Sequence, residues 1–312
     1  MKSSNAMITA SLSPAITVVI LAFNESIHLR RAIDSAKGLT DDIVVVDSLS
    51  TDDTVQIARQ CGAKVLERAW ENNHSVQFNW AIDQLEQDPH WQAQWIFRLD
   101  ADEIITASLC QEIERTLASA EKNIVGYDCQ RSIVFMGHLL RYGGMSRNRV
   151  LRLYRRGHGY SESRWMDEHI VIDGPCGHLS GAVIDNNLNN LTWWTAKHNT
   201  YASRAAIDYL IRKYGSKGRE AHSLTQFPQN NNLKDRLYRL LPLGLRGLIF
   251  FIYRYIFLLG FLDGKVGAHF YFLQTWWYRT LVDAKITEVE QCMQKQGADY
   301  KAAIFLTLGI AI

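Results

Sequence analysis

The stretch FRLDADEI, residues 97–104, places three carboxylates within four positions at the end of an apolar run. In an extended segment residues two apart point to the same side. Asp100 and Asp102 are therefore predicted to face one point, and Glu103 to point away in a structural role. Two close carboxylates do not both ionise comfortably without a cation. An oxygen-only pair suits Mg²⁺ or Mn²⁺, which completes its shell with water and phosphate oxygens. A water-exposed acidic turn is the competing account, and the position at a strand end favours the metal. Asp47, closing IVVVD, can accept from a ribose hydroxyl or a nucleobase N–H. Asp52 and Asp53 behind it read as turn and helix-opening residues. The remaining acidic focus is Asp167-Glu168, within RWMDEHIVIDG. A general base needs a carboxylate or imidazole beside the reacting hydroxyl. Glu168, with Met166 and Ile170 on either side, is the better placed, while Asp167 can cap or pair with Arg164. On the residues alone, a solvated loop is the simpler account of that cluster. His198 shares a helix face with Trp194 and Tyr201, and reads more readily as a packed, hydrogen-bonded histidine than as a ligand.

The elements that must position these acids alternate. ITVVILA (16–22), DIVVVD (42–47), AKVLE (63–67) and QWIFRLD (94–100) read as strands, the first two buried on both faces. Helical spacing between them, over 26–37, from Asp52–Asp53 to Gly62, and over 75–85, predicts an α/β fold. Its central sheet is expected to be mostly parallel and Rossmann-like, with helices on both faces. Ligands in such sheets sit beyond the carboxyl ends of the strands. Three of those ends carry acids: Glu25, Asp47, and Asp100 with Asp102. No G-x-G-x-x-G follows the first strand and there is no G-K-[ST] loop, which tells against a nicotinamide enzyme and a P-loop ATPase.

A net charge of +2 over 312 residues argues for no nucleic-acid partner. Five scattered cysteines without a C-x-x-C pair fit a reducing, cytoplasmic setting. Residues 1–13 are polar, without a secretory apolar core, and are expected to be disordered. A catalytic domain over 14–232, ending in a Gly-, Ser-, Asn- and Gln-rich connection, is expected to precede a helical region over 233–312. Leu243–Leu262 is 20 residues long but interrupted by Arg246 and Arg254, as suits an amphipathic helix lying on a membrane. Tyr253, Tyr255, Trp276, Trp277 and Tyr278 read as interfacial aromatics. Helices packed on the main domain, or an oligomer interface, are the alternative.

ITVVILAFNE, DDIVVVDSLSTDDT and WIFRLDADE, in this order, resemble the N-terminal half of family 2 glycosyltransferases with the GT-A fold, over about residues 15–175. RWMDEHIVIDG, KHNTYASR and GFLDGK resemble, more loosely, bacterial members that build lipopolysaccharide core, O-antigen or capsule. The resemblance implies inverting transfer from a nucleotide-diphospho-sugar, with a lean to UDP, to a hydroxyl of a saccharide or lipid-linked saccharide. It implies that Asp47 contacts the nucleobase and that Phe23 and Glu25 line the nucleotide pocket. Asp100 and Asp102 would form a DXD motif, Asp102 being the principal ligand of Mg²⁺ or Mn²⁺ on the diphosphate. The family's base lies in an E-D pair; here the order is Asp167-Glu168, and Glu168 is preferred. The implied location is the inner face of the cytoplasmic membrane. A polyprenyl-phosphate glycosyltransferase, a nucleotidyltransferase and a non-catalytic membrane scaffold are the rivals.

Overall fold

The computed structural model describes residues 15–71, 73–119, 121, 123–162, 168–215 and 242–312. The expected disordered N-terminus, nearly all of the 215–232 connection and Asp167 lie outside the described residues.

The β-branched runs form β1 (Ile16–Ala22), β2 (Ile43–Asp47), β3 (Lys64–Glu67) and β4 (Trp95–Asp100). They pair in parallel in the order β3-β2-β1-β4. Helices α1 (Leu29–Ala36), α2 (Thr54–Gln60) and α3 (His74–Glu86) connect them. β1 is buried on both faces because its alternate residues serve different cores. Val18 and Ile20 join Leu29 and Ile33 of α1, whereas Val19 joins Phe78 and Ala81 of α3. Register sets Ala22 opposite Asp47 and Leu21 opposite Asp100, so the carboxyl ends of β2, β1 and β4 finish level on one rim. Asp47 and Asp100 stand two strand spacings apart there, roughly 10 Å.

Beyond β4 the sheet is mixed, so the expectation of a mostly parallel sheet holds only for its first half. β5 (Glu103–Ile105), α4 (Ala107–Ala118), β6 (Gly126–Phe135), the short β7 (His138–Leu139) and β8 (Arg149–Arg155) follow in the chain. β9 (Gly159–Ser161) and β10 (Ile170–Ile172) form a separate hairpin before β11 (Cys176–Asn186). β8 inserts antiparallel between β4 and β6, and β11 runs parallel to β6. The reversal follows from the connection: β6 folds back through β7 and the Met145–Arg147 turn into β8, which returns beside it antiparallel. Its consequence is that side chains from β6 and β8 reach the rim where β4 ends.

The C-terminal third is helical: α5 (Leu191–Tyr214), α6 (Leu245–Ile252), α7 (Gly264–Tyr271), α8 (Tyr278–Gln296) and α9 (Tyr300–Leu308). α6 runs on into a π turn over Tyr253–Phe257, and a second π turn, Phe272–Trp277, joins α7 to α8. Ala206, Ile207 and Leu210 of α5 share a core with Ile286 and Val289 of α8 and Ile304 of α9. α5, expected within the catalytic domain, thus packs on the C-terminal helices as well as, through Trp194, on Phe135 of the sheet domain. Asp263 fastens these helices to the sheet domain by accepting from the Arg141 and Tyr142 amides at 3.0 and 3.1 Å and from the Tyr271 hydroxyl at 2.8 Å. Gly143 (φ +60°) must be glycine here, since a Cβ would meet the Tyr271 ring at 2.3 Å.

The two arginines that interrupt the apolar run do not face outward. Arg246 is buried and bonded through Nε and Nη2 to Asp283 of α8. Breaking a buried pair of this kind costs about 3–5 kcal/mol. Arg254 donates from Nε to the Gly143 carbonyl at 2.7 Å. Trp276 packs near Phe251 and Trp277 near Trp194, and both are partly buried. The outward face is instead apolar, with Ile252, Ile256, Phe257, Leu259 and Leu262 exposed.

Candidate active site

A cleft of about 1340 Å³ opens where the rim of β4 and β8 meets α5 and the C-terminal helices. Asp100, Asp102 and Glu168 all line it. Phe23, Glu25 and Asp47 do not; they stand at the ends of β1 and β2.

Asp100 and Asp102 share the cleft but not one point. The chain leaves the extended conformation at Ala101, so same-side alternation stops at Asp100. Asp100 Oδ2 accepts from Arg152 Nη2 at 2.7 Å, and Arg98 Nε lies 3.8 Å from Oδ1. Burial would raise the pKa of Asp100; the Arg152, Arg98 and Arg131 charges outweigh it and hold the carboxyl below its ordinary value. Asp102 instead accepts from Asn187 Nδ2 at 2.9 Å on Oδ2. Glu103 does not point away as expected: Arg152 Nη2 bridges it at 2.5 Å while also holding Asp100. Glu103 is wholly buried, pairs with Arg131 Nε at 3.1 Å, and accepts from the Asp100 amide at 3.2 Å. Burial pushes its pKa up. Its structural role stands for a different reason, as part of a buried lattice of acids and guanidiniums.

Glu168 comes from the chain entering β10 and accepts from Arg98 Nη2 at 3.3 Å. Arg98 thus joins Glu168 to Asp100. His74, at the start of α3, lines the same end of the cleft against Trp70. Burial, opposed by Glu168 and Asp100 and reinforced by Arg98, lowers its pKa.

At the ends of β1 and β2, Phe23 is exposed. Glu25 Oε2 pairs with His28 Nδ1 at 2.5 Å, and His28, itself fully buried, accepts from the Leu188 amide at Nε2, 2.8 Å away. Asp47 is fully buried and accepts from the amide and hydroxyl of Ser50 at 2.7 and 2.5 Å. Here it builds the turn after β2 and presents no exposed oxygen. Asp52 accepts from the Thr54 amide and hydroxyl ahead of α2, whereas Asp53 makes no side-chain cap. His198 Nδ1 donates to the Trp194 carbonyl at 2.9 Å and its ring stacks on Trp194 at 3.5 Å, the packed arrangement expected.

Among the described residues no group of three or more His, Cys, Asp or Glu side chains is disposed to hold a metal ion. Asp100, expected as a ligand, is committed to Arg152. Asp102 is the carboxylate that fits, since only its Oδ2 takes the Asn187 bond. One such carboxylate suffices for a cation that draws most of its shell from substrate phosphates and water.

Several cleft residues went unread in the sequence: His74, Arg98, Arg131, Arg152, Asn187 and Lys197. Lys197 of α5 lies over the Trp193 ring at 4.6 Å, and burial is opposed by Tyr201, Asp102 and Glu25, which together raise its pKa. A signal existed for two of them. Arg98 and Arg152 sit inside the apolar runs WIFRLD and VLRLY, and a charge buried in a strand requires a partner.

An α/β sheet whose strand ends open on a large cleft lined by acids and arginines has the form of a ligand-binding site in folds of this kind. The chain belongs to glycosyl transferase family 2, whose profile matches residues 17–182. It is 33% identical over 219 residues to an uncharacterized glycosyltransferase of Rickettsia prowazekii, covering 65% of this chain and 70% of that one. It is 29% identical over 198 residues to the lipopolysaccharide core biosynthesis glycosyltransferase LpsC of Rhizobium meliloti, covering 61% of this chain and 70% of that one. Among solved structures, a mannosyltransferase from Pyrobaculum calidifontis in complex with GDP-Man and Mn²⁺ aligns over 89% of this chain and 88% of its own. That alignment has 12% identity and a TM-score of 0.47.

Proposed function

We propose that the chain transfers a sugar from a nucleotide-diphospho-sugar, a UDP-sugar by family preference, to a hydroxyl of a saccharide or lipid-linked saccharide. The product would be a bacterial cell-surface polysaccharide, and the reaction inverts the anomeric centre. The observation that carries this reading is the meeting of Glu168 and Asp102, far apart in sequence, at one cleft beyond the strand ends. Glu168 takes the proton of the acceptor hydroxyl as its oxygen attacks the anomeric carbon from the face opposite the diphosphate. Arg98, bonded to Glu168, orients the carboxylate. Arg152 and Arg98 hold Asp100 in place and so fix the end of β4 from which Asp102 projects. A divalent cation held between Asp102 and the diphosphate would supply Lewis-acid neutralisation of the leaving group. Phe23 and Glu25 border the nucleotide, and Asp47 reaches its base only if the Ser50 turn yields. In a thermal-shift panel of UDP-, GDP- and ADP-sugars with Mn²⁺, a donor at a hundred times its Kd stabilises by about 2.7 kcal/mol. That is a rise of a few degrees. A flat response across the panel would remove the reading.

We propose further that the C-terminal helices hold the protein on the inner face of the cytoplasmic membrane. Among the described residues no single helix is long and apolar enough to cross a membrane; only a pair bent by 75°, Leu245–Phe257 with Gly260–Gln296, passes by length and composition. The apolar outward face around Phe257 supports attachment along the surface. Deletion after Asn232 is expected to release the protein from membranes; a truncated chain that still pellets with lipid contradicts this.

A further inference from the structure

Half of the cleft has no task in the reaction above. Its four carboxylates, Asp100, Asp102, Glu168 and Asp185, belong to the sheet domain, where Arg152, Asn187, Arg98 and Arg131 bond them. The half walled by α5 and the C-terminal helices contains no Asp or Glu among the described residues. It is furnished by Arg254, Arg279, Gln274, Trp194 and His198. Arg254 gives Nε to the Gly143 carbonyl, and its guanidinium lies 5.4 Å from the Tyr271 ring centre and 5.8 Å from that of Phe250. No described carboxylate pairs with it. Burial draws its pKa down, Tyr271 opposes that, and the like charge of Arg279 adds to it. An oxyanion set against Arg254 and Arg279 would relieve both burial and repulsion.

Two further observations point the same way. Arg254 and Gln274 are delivered by the two π turns, a rare backbone form that concentrates at functional sites. The cleft volume also exceeds the roughly 300–1,000 Å³ that one ligand fills, even though Phe23, Glu25 and Asp47 lie outside it.

We propose that this half of the cleft is an acceptor subsite for an oxyanion, a phosphate ester or a carboxylate carried by the acceptor saccharide. Arg254 grips the anion with Arg279 beside it, and the sugar lies against Trp194. The subsite rests on the transfer reading for its place in the reaction, though not for the anion itself.

The test is a titration of the full chain with mannose 6-phosphate, glucuronate and mannose, followed by calorimetry, with and without saturating UDP and Mn²⁺. At least one anionic sugar is expected to bind tenfold or more tighter than mannose, and which one it is identifies the source of the anion. Binding is expected to persist under UDP. R254Q should weaken it on the order of ten- to hundredfold and leave mannose unaffected. Equal affinity for all three sugars overturns the proposal. So does displacement by UDP, which would place the anion on the donor's diphosphate site. Should R254Q fail to fold, R279Q carries the same test, and no selective loss of the anionic sugar overturns the assignment. Hydrolysis of UDP-sugars by water is measured in parallel. Anion binding at Arg254 without any donor turnover would remove the transfer reading alone. Donor turnover without anion binding would remove the subsite alone.

Discussion

Asp102→Ala is expected to lower turnover of the nucleotide-sugar on the order of a hundred- to thousandfold, the loss typical when one group stabilising a developing charge is removed. Asp102 is partly exposed and accepts from the neutral Asn187 amide, so its removal breaks no hydrogen-bonded ion pair among the described residues. The variant should therefore melt close to the parent. Asp100→Ala is different in kind. It strips Arg152 of one of its two carboxylates inside a buried lattice, so lost activity would come with lost stability. Kinetics and melting of the two variants, each with Mn²⁺ titrated, separate a ligand from a scaffold residue. Unchanged turnover in Asp102→Ala would sink the site.

Glu168→Gln should reduce transfer by about 10²–10⁴-fold, the range for a general base, while donor affinity stays near that of the parent. Glutamine keeps the size of the side chain and can still accept from Arg98, so the cleft should hold its shape. Single-turnover transfer and nucleotide binding, measured on the same preparation, read the two effects apart. An active Glu168→Gln beside an inactive Asp167→Asn would move the base one residue back.

β1 and β2 were legible because β-branched runs buried on both faces leave little else to be, and β3 and β4 because they alternate with helical spacing. Glu168 and the Asp100–Asp102 pair were legible as acids, and the family resemblance united them. Their geometry was not. Same-side placement assumed an extended chain beyond Asp100, and the turn at Ala101 removed it. The counter-charges for Asp100 and Glu103 come from β6 and β8, strands whose antiparallel entry no local pattern announces. On α5 the chosen face ran through Trp194, His198 and Tyr201. Trp193 and Lys197, one position over, also reach the cleft, and Lys197 senses Asp102 just as Tyr201 does. Helical periodicity gives a face only to within a residue, which is the width of that difference.

The inward turn of Arg246 and Arg254 bears on how the protein would be extracted from a membrane. With Arg246 spent on Asp283 and Arg254 turned into the cleft, neither arginine of the 243–262 run is left for lipid phosphates. Salt weakens charge-mediated adhesion by screening, within a Debye length of about 8 Å at physiological strength. It strengthens or leaves untouched the burial of residues such as Phe257 and Leu262. Attachment through this face would resist a high-salt wash and yield to mild detergent, and a surface enzyme of this design would behave in fractionation like an embedded one.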